Sequence, residues 1–392
     1  MRSDPLFQMP EESVPIDFLE RGIALAEAGD LNAALEDFNL ELSKNPRNVL
    51  AFYNKGLVLL MLGHYRDAVA SLTLALEIDA DLRQAWVAKG LSHARLGERA
   101  ESIKCYDRAL SINTYDPETV YLKGLALYSV GRFRESLDLL HRAEELSPKD
   151  RRISHARGLV LLAMGKPDEA LTALHNCLII DPNYLEARLA YAVLLSRMGR
   201  ELEALDEYDK LLDSSPDHLG GLLGKGGSAL RLGLFQEALD SFQAAIRLKD
   251  KEVSAWLGAG RALEELGLFE EALSSYSKAL ELEPEDQDIR LRRANLYEEM
   301  GNRAASLEDL NLIIKSQPTA QVCLKMARLY AGSNDKAAVL DCVGKALKLD
   351  PGLAGLIAED EILLVLLGKE ALEKKMSVSI PFSQETTKEE LN

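Results

Sequence analysis

Catalytic hardware is scarce in this chain of 392 residues. It has no Gly-x-x-x-x-Gly-Lys-Ser/Thr loop to cradle a phosphate and no His-Glu-x-x-His pair to hold zinc, so neither of those chemistries is expected. Cysteine is limited to Cys105, Cys177, Cys323 and Cys342. No two of them form a Cys-x-x-Cys pair, and each sits in a helical pattern, so they read as free thiols buried in a reducing compartment. Long apolar runs are missing too. Runs such as Ile362 to Leu367 fall far short of the roughly 20 residues a spanning helix needs, so membrane insertion is not expected. The start, Met1-Arg2-Ser3-Asp4-Pro5 followed by Glu11 and Glu12, lacks the apolar heart of an export signal, and a cytoplasmic location is expected. Basic residues are the minority: 46 Lys and Arg against 63 Asp and Glu give a net charge of −17. Such a surface repels phosphate backbones and anionic lipid heads, so nucleic acid is a poor partner. The acidity serves solubility or favours a basic partner.

What the chain has in abundance is self-similarity. Gly22, Gly56, Gly90, Gly124 and Gly158 recur every 34 residues, with Ala192, Gly226, Gly260 and Ala294 continuing the series. Seven residues later a second column runs without exception through Gly29, Gly63, Gly97, Gly131, Gly165, Gly199, Gly233, Gly267 and Gly301. A small column (Ala34, Ala68, Ser102, Ser136, Ala170, Ala204, Ala238, Ala272, Ser306) and a large apolar one (Phe38, Leu72, Tyr106, Leu140, Leu174, Tyr208, Phe242, Tyr276, Leu310) keep the same period. Proline closes many units, as at Pro46, Pro148, Pro182 and Pro284. Glycine inside a helix costs about 1 kcal/mol against alanine, a cost that makes sense where a neighbouring helix approaches the backbone closely. The second glycine follows one apolar helical stretch and precedes another, so it reads as a left-handed C-cap. In unit two the pattern predicts helices over 50–62 and 66–78; in unit eight, over 254–266 and 270–282.

These columns, with Trp86 and Trp256 at a recurrent aromatic slot, resemble the tetratricopeptide repeat family from Pro15 to about Gly352. The tenth unit departs from the pattern. It is one residue short, with Asn334 near the turn-glycine slot and Ala327 near the first small slot. The resemblance implies an all-α solenoid: tandem antiparallel helix hairpins stacked into a right-handed superhelix, with the first helix of each pair lining a concave groove. It also implies a protein-protein interaction scaffold or adaptor that binds peptide segments or partner proteins in that groove, and not an enzyme. Two other readings compete: a helical-repeat nucleic-acid-binding protein, and a regulatory platform subunit of an enzyme complex. The strict spacing and the acidity count against the first. The lysine/asparagine clamp by which some members hold a C-terminal carboxylate has no counterpart at the N-terminal end, where its slots hold Leu19, Ile23, Tyr53, Asn54 and Leu57.

Around the array, residues 1–14 read as a leader, 15–352 as about ten repeats, 353–376 as one amphipathic capping helix and 377–392 as a disordered polar tail. Self-association through the C-terminal helix is the alternative to capping.

Candidate partner-binding residues lie on the first helices, on a face distinct from the packing columns. They are Tyr53, Leu57, Leu60 and Met61; Val87 and Leu91; Tyr121, Leu125 and Tyr128; His155, Leu159 and Leu162; Leu189 and Val193. Further along, the same face turns polar at Arg261, Glu264, Asn295, Glu298 and Arg328. Two readings of the apolar stretch stand side by side: an exposed groove holding a peptide by aliphatic and aromatic anchors, or packing against the next first helix.

Other constellations have bland readings. The stretch Gly224 to Ala229 imitates a dinucleotide fingerprint, but no strand precedes it and Gly226 belongs to the packing column. His141 and His175 share a slot in successive units and read as solvent-facing, with a metal site as the alternative. Glu264–Glu265 and Glu298–Glu299 read as a solvated face or a negative patch. A basic column, Arg21, Lys55, Lys89, Lys123, Arg157, Lys225 and Arg293, either lays its stems on apolar surface or forms a stripe for an acidic partner. No cofactor is expected.

Overall fold

The computed structural model describes residues 17–379, and among these every regular element is a helix. Hairpins one to three are α1 (Phe18–Glu27) with α2 (Leu31–Lys44), α3 (Val49–Met61) with α4 (Tyr65–Ile78), and α5 (Arg83–Arg95) with α6 (Arg99–Ile112). Hairpins four and five are α7 (Pro117–Ser129) with α8 (Phe133–Leu146) and α9 (Arg151–Ala163) with α10 (Pro167–Ile180), and the sixth repeat contains α11 (Leu185–Arg197) and α12 (Glu201–Ser214). Then come α13 (Leu219–Arg231) with α14 (Phe235–Leu248), and α15 (Val253–Glu265) with α16 (Phe269–Leu282). Hairpins nine and ten are α17 (Gln287–Glu299) with α18 (Arg303–Ser316), and α19 (Ala320–Gly332) with α20 (Lys336–Leu349). The chain divides into two compact units, one up to Leu194 and one from Leu195. Within each, the helices form an all-α repeat solenoid, each hairpin packing on its neighbours in sequence.

Hairpin two shows why the sequence folds this way. Asn48 stops the preceding loop, its side chain accepting a hydrogen bond from the Ala51 amide at 3.1 Å. After Met61 the helix closes in a Schellman motif: the Gly63 amide donates to Leu60 O at 3.1 Å and the His64 amide to Leu59 O at 2.9 Å. That closure requires a left-handed residue, and Gly63 has φ +80°. All nine turn glycines are left-handed, with φ between 72° and 88°. In hairpin ten Asn334 takes the role at φ 59°, consistent with asparagine's tolerance of that region. This places the register of the last repeat. The missing residue is in the connection before α19, which has three residues (317–319) where the connection before α17 has four (283–286). Downstream, Ala327 and Val343 are fully buried in their column positions.

The columns account for the packing. Every member of the small column is fully buried, and no member of the large one is more than 4% exposed. Each buried Leu or Phe contributes roughly 1.5–3 kcal/mol relative to exposure. The first glycine column faces the large one across the hairpin. A Cβ on Gly56 would stand 2.6 Å from Leu72 Cγ, and one on Gly90 2.7 Å from the Tyr106 ring.

The C-terminal segment differs from the single capping helix that the sequence suggests. A 3-10 turn (Pro351–Leu353) leads into α21 (Ala354–Ala358), α22 (Glu361–Leu367) and α23 (Lys369–Ser379). Two local signals break the run. Asp360 accepts hydrogen bonds from the Ile362 and Leu363 amides and so starts a new helix, and Gly368, at φ 77°, ends it. Arg328 Nε donates to Asp360 Oδ2 at 2.7 Å, joining α19 to the start of α22. Ile357, Leu363 and Leu372 are buried against hairpin ten, whereas Leu356, Ile362, Val365 and Val378 stay exposed, Val365 at 88%. Residues 377–379, assigned to the polar tail by composition, form the last turn of α23. The expected leader at 1–14 and the rest of the tail lie outside the described residues. No described helix is long and apolar enough to cross a membrane.

Candidate partner-binding face

In the unit up to Leu194, the first helices α3, α5, α7, α9 and α11 carry the apolar candidates. None of these residues is fully buried. Tyr53, Leu57, Leu60, Val87, Leu91, Tyr121, Leu125, Tyr128, His155, Leu159, Leu162 and Leu189 are half-buried, while Met61 is 63% and Val193 36% exposed. The inner side of the same helices is dry: in α3, Ala51, Gly56, Val58 and Leu59 are buried. Helical geometry thus gives each first helix a buried stripe and, beside it, a half-exposed apolar one. Tyr53 and Leu57 pack with Leu82 and Trp86 of the next hairpin. Tyr121, Leu125 and Tyr128 pack beside Ile153 and Val160 of α9. These side chains bridge neighbouring hairpins and still present surface.

The structure brings Tyr121 and His155 together with residues that the sequence reading missed. His155 meets Tyr184 edge-on, ring centroids 5.2 Å apart, with the Tyr184 hydroxyl 3.5 Å from Nδ1. Arg152 lies over the Tyr121 ring at 5.1 Å and Arg151 over Tyr184 at 5.0 Å. Arg152 is held by Glu118 at 2.6 Å and by Asp150 at 2.7 Å. One signal was available. Tyr184 occupies the slot that N-caps first helices elsewhere, where Asn48, Asp116, Asp150 and Asp286 stand. Burial pushes the Tyr121 phenol up to about 12, raises Tyr184 and lowers His155. At neutral pH the rings are uncharged, so this face offers ring surface and hydroxyl donors, with the charge held at its rim by Arg152 and Glu118.

In the unit from Leu195, Arg261 is exposed and Asn295 half-buried. The polar stretch around them is largely paired within the chain. Glu264 accepts a short hydrogen bond from the Tyr276 hydroxyl, Glu298 pairs with Lys325, and Arg328 is held by Asp360. Burial, followed by the Glu264 carboxylate, raises the Tyr276 phenol. The pairs Glu264–Glu265 and Glu298–Glu299 are thus each half engaged, which weakens the reading of a free negative patch.

Most of the basic column is spoken for as well. Arg21 pairs with Asp37, Lys123 with Asp107, Arg157 with Glu144, Lys225 with Asp209 and Glu237, and Arg293 with Asp309. These intrachain pairs argue against a free basic stripe. The imitation fingerprint lies inside α13, where a Cβ on Gly224 would stand 2.3 Å from the Tyr208 ring, a packing reason for that glycine. His141 and His175 are exposed, and no set of three or more His, Cys, Asp or Glu placed to hold a metal occurs among the described residues.

Comparison with known families settles what these hairpins are. Two profiles, each described as Tetratricopeptide repeat, match residues 19–83, 53–117 and 223–287, and residues 161–225 and 266–329, together more than half of the sequence. The chain belongs to the tetratricopeptide repeat family. A further profile, described as Anaphase-promoting complex, cyclosome, subunit 3, matches residues 98–177. No curated protein matches the chain.

Among solved structures, the C-terminal part of a tetratricopeptide repeat protein from Cytophaga hutchinsonii is similar at 14% identity. It covers 61% of this chain and 98% of its own, with a TM-score of 0.51, which shows the fold. A tetratricopeptide repeat protein from Parabacteroides merdae is 20% identical over 67% of this chain and 98% of its own, TM-score 0.48. Pseudomonas aeruginosa pilF is 25% identical over 52% and 93%, TM-score 0.47. Membership of the tetratricopeptide repeat family supports the general role of a protein-interaction scaffold, and the repeat fold is typically non-catalytic.

Proposed function

We propose that this protein is an adaptor whose first-helix face, from α3 to α11, holds an apolar segment of a partner protein in extended or helical form. One observation supports the reading above the others: a half-exposed aliphatic and aromatic stripe recurs on five successive first helices, with Met61 and Val193 open to solvent. Peptide grooves work through such anchors, aromatic side chains contributing large contact area at low entropic cost. Tyr121, His155 and Tyr184, rimmed by Arg152 and Glu118, would form the polar-edged part of the face. An intracellular setting belongs to this reading, since Cys105, Cys177, Cys323 and Cys342 are free, buried thiols.

The test is a triple variant, Leu57→Ser, Tyr121→Ser and Leu125→Ser, assayed against partners captured from the source cell by the wild-type protein. Lost capture with an unchanged helical circular dichroism spectrum is the expected result. Full capture by a folded triple variant would remove the groove from the account.

A further inference from the structure

A second cleft, of about 620 Å³, opens between α4, α5 and α6, and none of the first-helix stripe residues lines it. Its walls hold Trp86, Lys89, His93, Cys105 and Arg108. Two of these residues differ from their counterparts in other hairpins. His93 stands where hairpins two, four and five have Leu59, Leu127 and Leu161. Cys105 stands where hairpins one and nine have Asp37 and Asp309, the carboxylates that neutralise Arg21 and Arg293.

The second difference matters for charge. Lys89 is the counterpart of Arg21 and Arg293, but it faces a thiol in place of a carboxylate. Burial pushes the Cys105 thiol up to about 11, so at neutral pH it carries no negative charge. Lys89 Nζ instead lies 5.4 Å from the centroid of the Trp86 ring. Among the described residues neither Lys89 nor Arg108 is in an ion pair. The acids in the wall are already matched, Glu101 to Lys104 and Asp107 to Lys123, each at 2.6 Å. In a chain of net charge −17, this cleft therefore keeps two cations outside any direct ion pair, with Lys89 in the field of Glu101.

The apolar wall is equally defined. The Trp86 indole N–H donates to Ala80 O at 2.8 Å, which fixes the ring in the wall of the cleft. His93 Nδ1 lies 2.6 Å from Glu98 Oε2, so the other ring nitrogen is the one left for a ligand. Cation and flat ring side by side suit a planar acid: carboxylate on the ammonium and guanidinium, body on the indole.

We propose that this cleft binds a carboxylate carried on a flat apolar body, the charge between Lys89 and Arg108 and the body against Trp86. The carboxylate comes either from a small aromatic acid or from an acidic residue beside an aromatic one in a peptide, and the test separates the two.

Trp86 is its own reporter once the other tryptophan is removed by Trp256→Phe. In that protein, fluorescence is titrated with benzoate, with the capped dipeptide acetyl-Glu-Phe-amide, with neutral benzamide and with inorganic phosphate. A saturable change with benzoate or the dipeptide, absent with benzamide, supports the site. Binding of the dipeptide alone points to a partner protein as the source, and binding of benzoate to a small molecule. Arg108→Gln, at an exposed position, is expected to weaken binding about tenfold, the loss of one charge-assisted contact, and Lys89→Gln with Arg108→Gln to weaken it further. No saturable change with either carboxylate up to about 10 mM, a response to phosphate alone, or unaltered affinity in the double variant would overturn the proposal.

Discussion

Arg293 grips Asp309 with two parallel hydrogen bonds, Nη2 to Oδ1 at 2.7 Å and Nε to Oδ2 at 2.8 Å, inside hairpin nine. The Asp309 side chain is 4% exposed, and Arg290 approaches it only to 3.8 Å. Arg293→Ala would strand a buried carboxylate, and such a loss costs about 3 kcal/mol. Replacing both partners by leucine removes the desolvation problem along with the bond, so the double variant is expected to regain most of that stability. Urea denaturation of the two variants makes the comparison. Equal loss in both would mean that the pair acts through more than its charges.

The glycine column predicts a graded series. At Gly56 a new methyl meets Leu72 Cγ at 2.6 Å, whereas at Gly124 its nearest neighbour in Leu140 is 3.1 Å away. Alanine gains about 1 kcal/mol of helix propensity at either site, and overpacking costs about 1–3 kcal/mol. Gly56→Ala should therefore destabilise, and Gly124→Ala should be close to neutral, as read by thermal melting of each variant.

His155 ties stability to pH. Burial, the leading cause, holds its ring below the ordinary value of 6.5, and the Glu186 charge opposes this only in part. The unfolded chain thus takes up a proton that the folded chain refuses. The sign follows: the contribution is complete above 6.5, falls as pH drops below that value, and levels off once the folded ring also protonates. Denaturation midpoints at about pH 7.5 and about pH 5.5 should differ less in His155→Leu than in the wild type.

The hairpins were legible in the sequence because a helical turn needs a left-handed residue and glycine supplies it at one spacing. The predicted 50–62 helix is observed as Val49–Met61, and the predicted 270–282 helix as Phe269–Leu282. Asn334 was legible for the same reason. The C-terminal break was not, although Asp360 and Gly368 announce it, because the apolar spacing runs on through both. The stripe of Tyr53, Leu57 and Tyr121 could be named from periodicity. Its half-exposure could not, since that depends on how closely the next hairpin approaches. Tyr184 and the Lys89 cleft escaped because both turn on residues that vary from hairpin to hairpin, and columns draw attention to what repeats.

The strongest contacts in each unit join helices adjacent in the chain or one removed. Contact order is accordingly low, the condition for rapid folding. A ribosome adds about 5–20 residues per second, so one 34-residue hairpin emerges every few seconds, whereas a helix forms within about a microsecond. Each hairpin can settle on its predecessor before the next is made, and the growing chain never waits for a distant segment to complete its core.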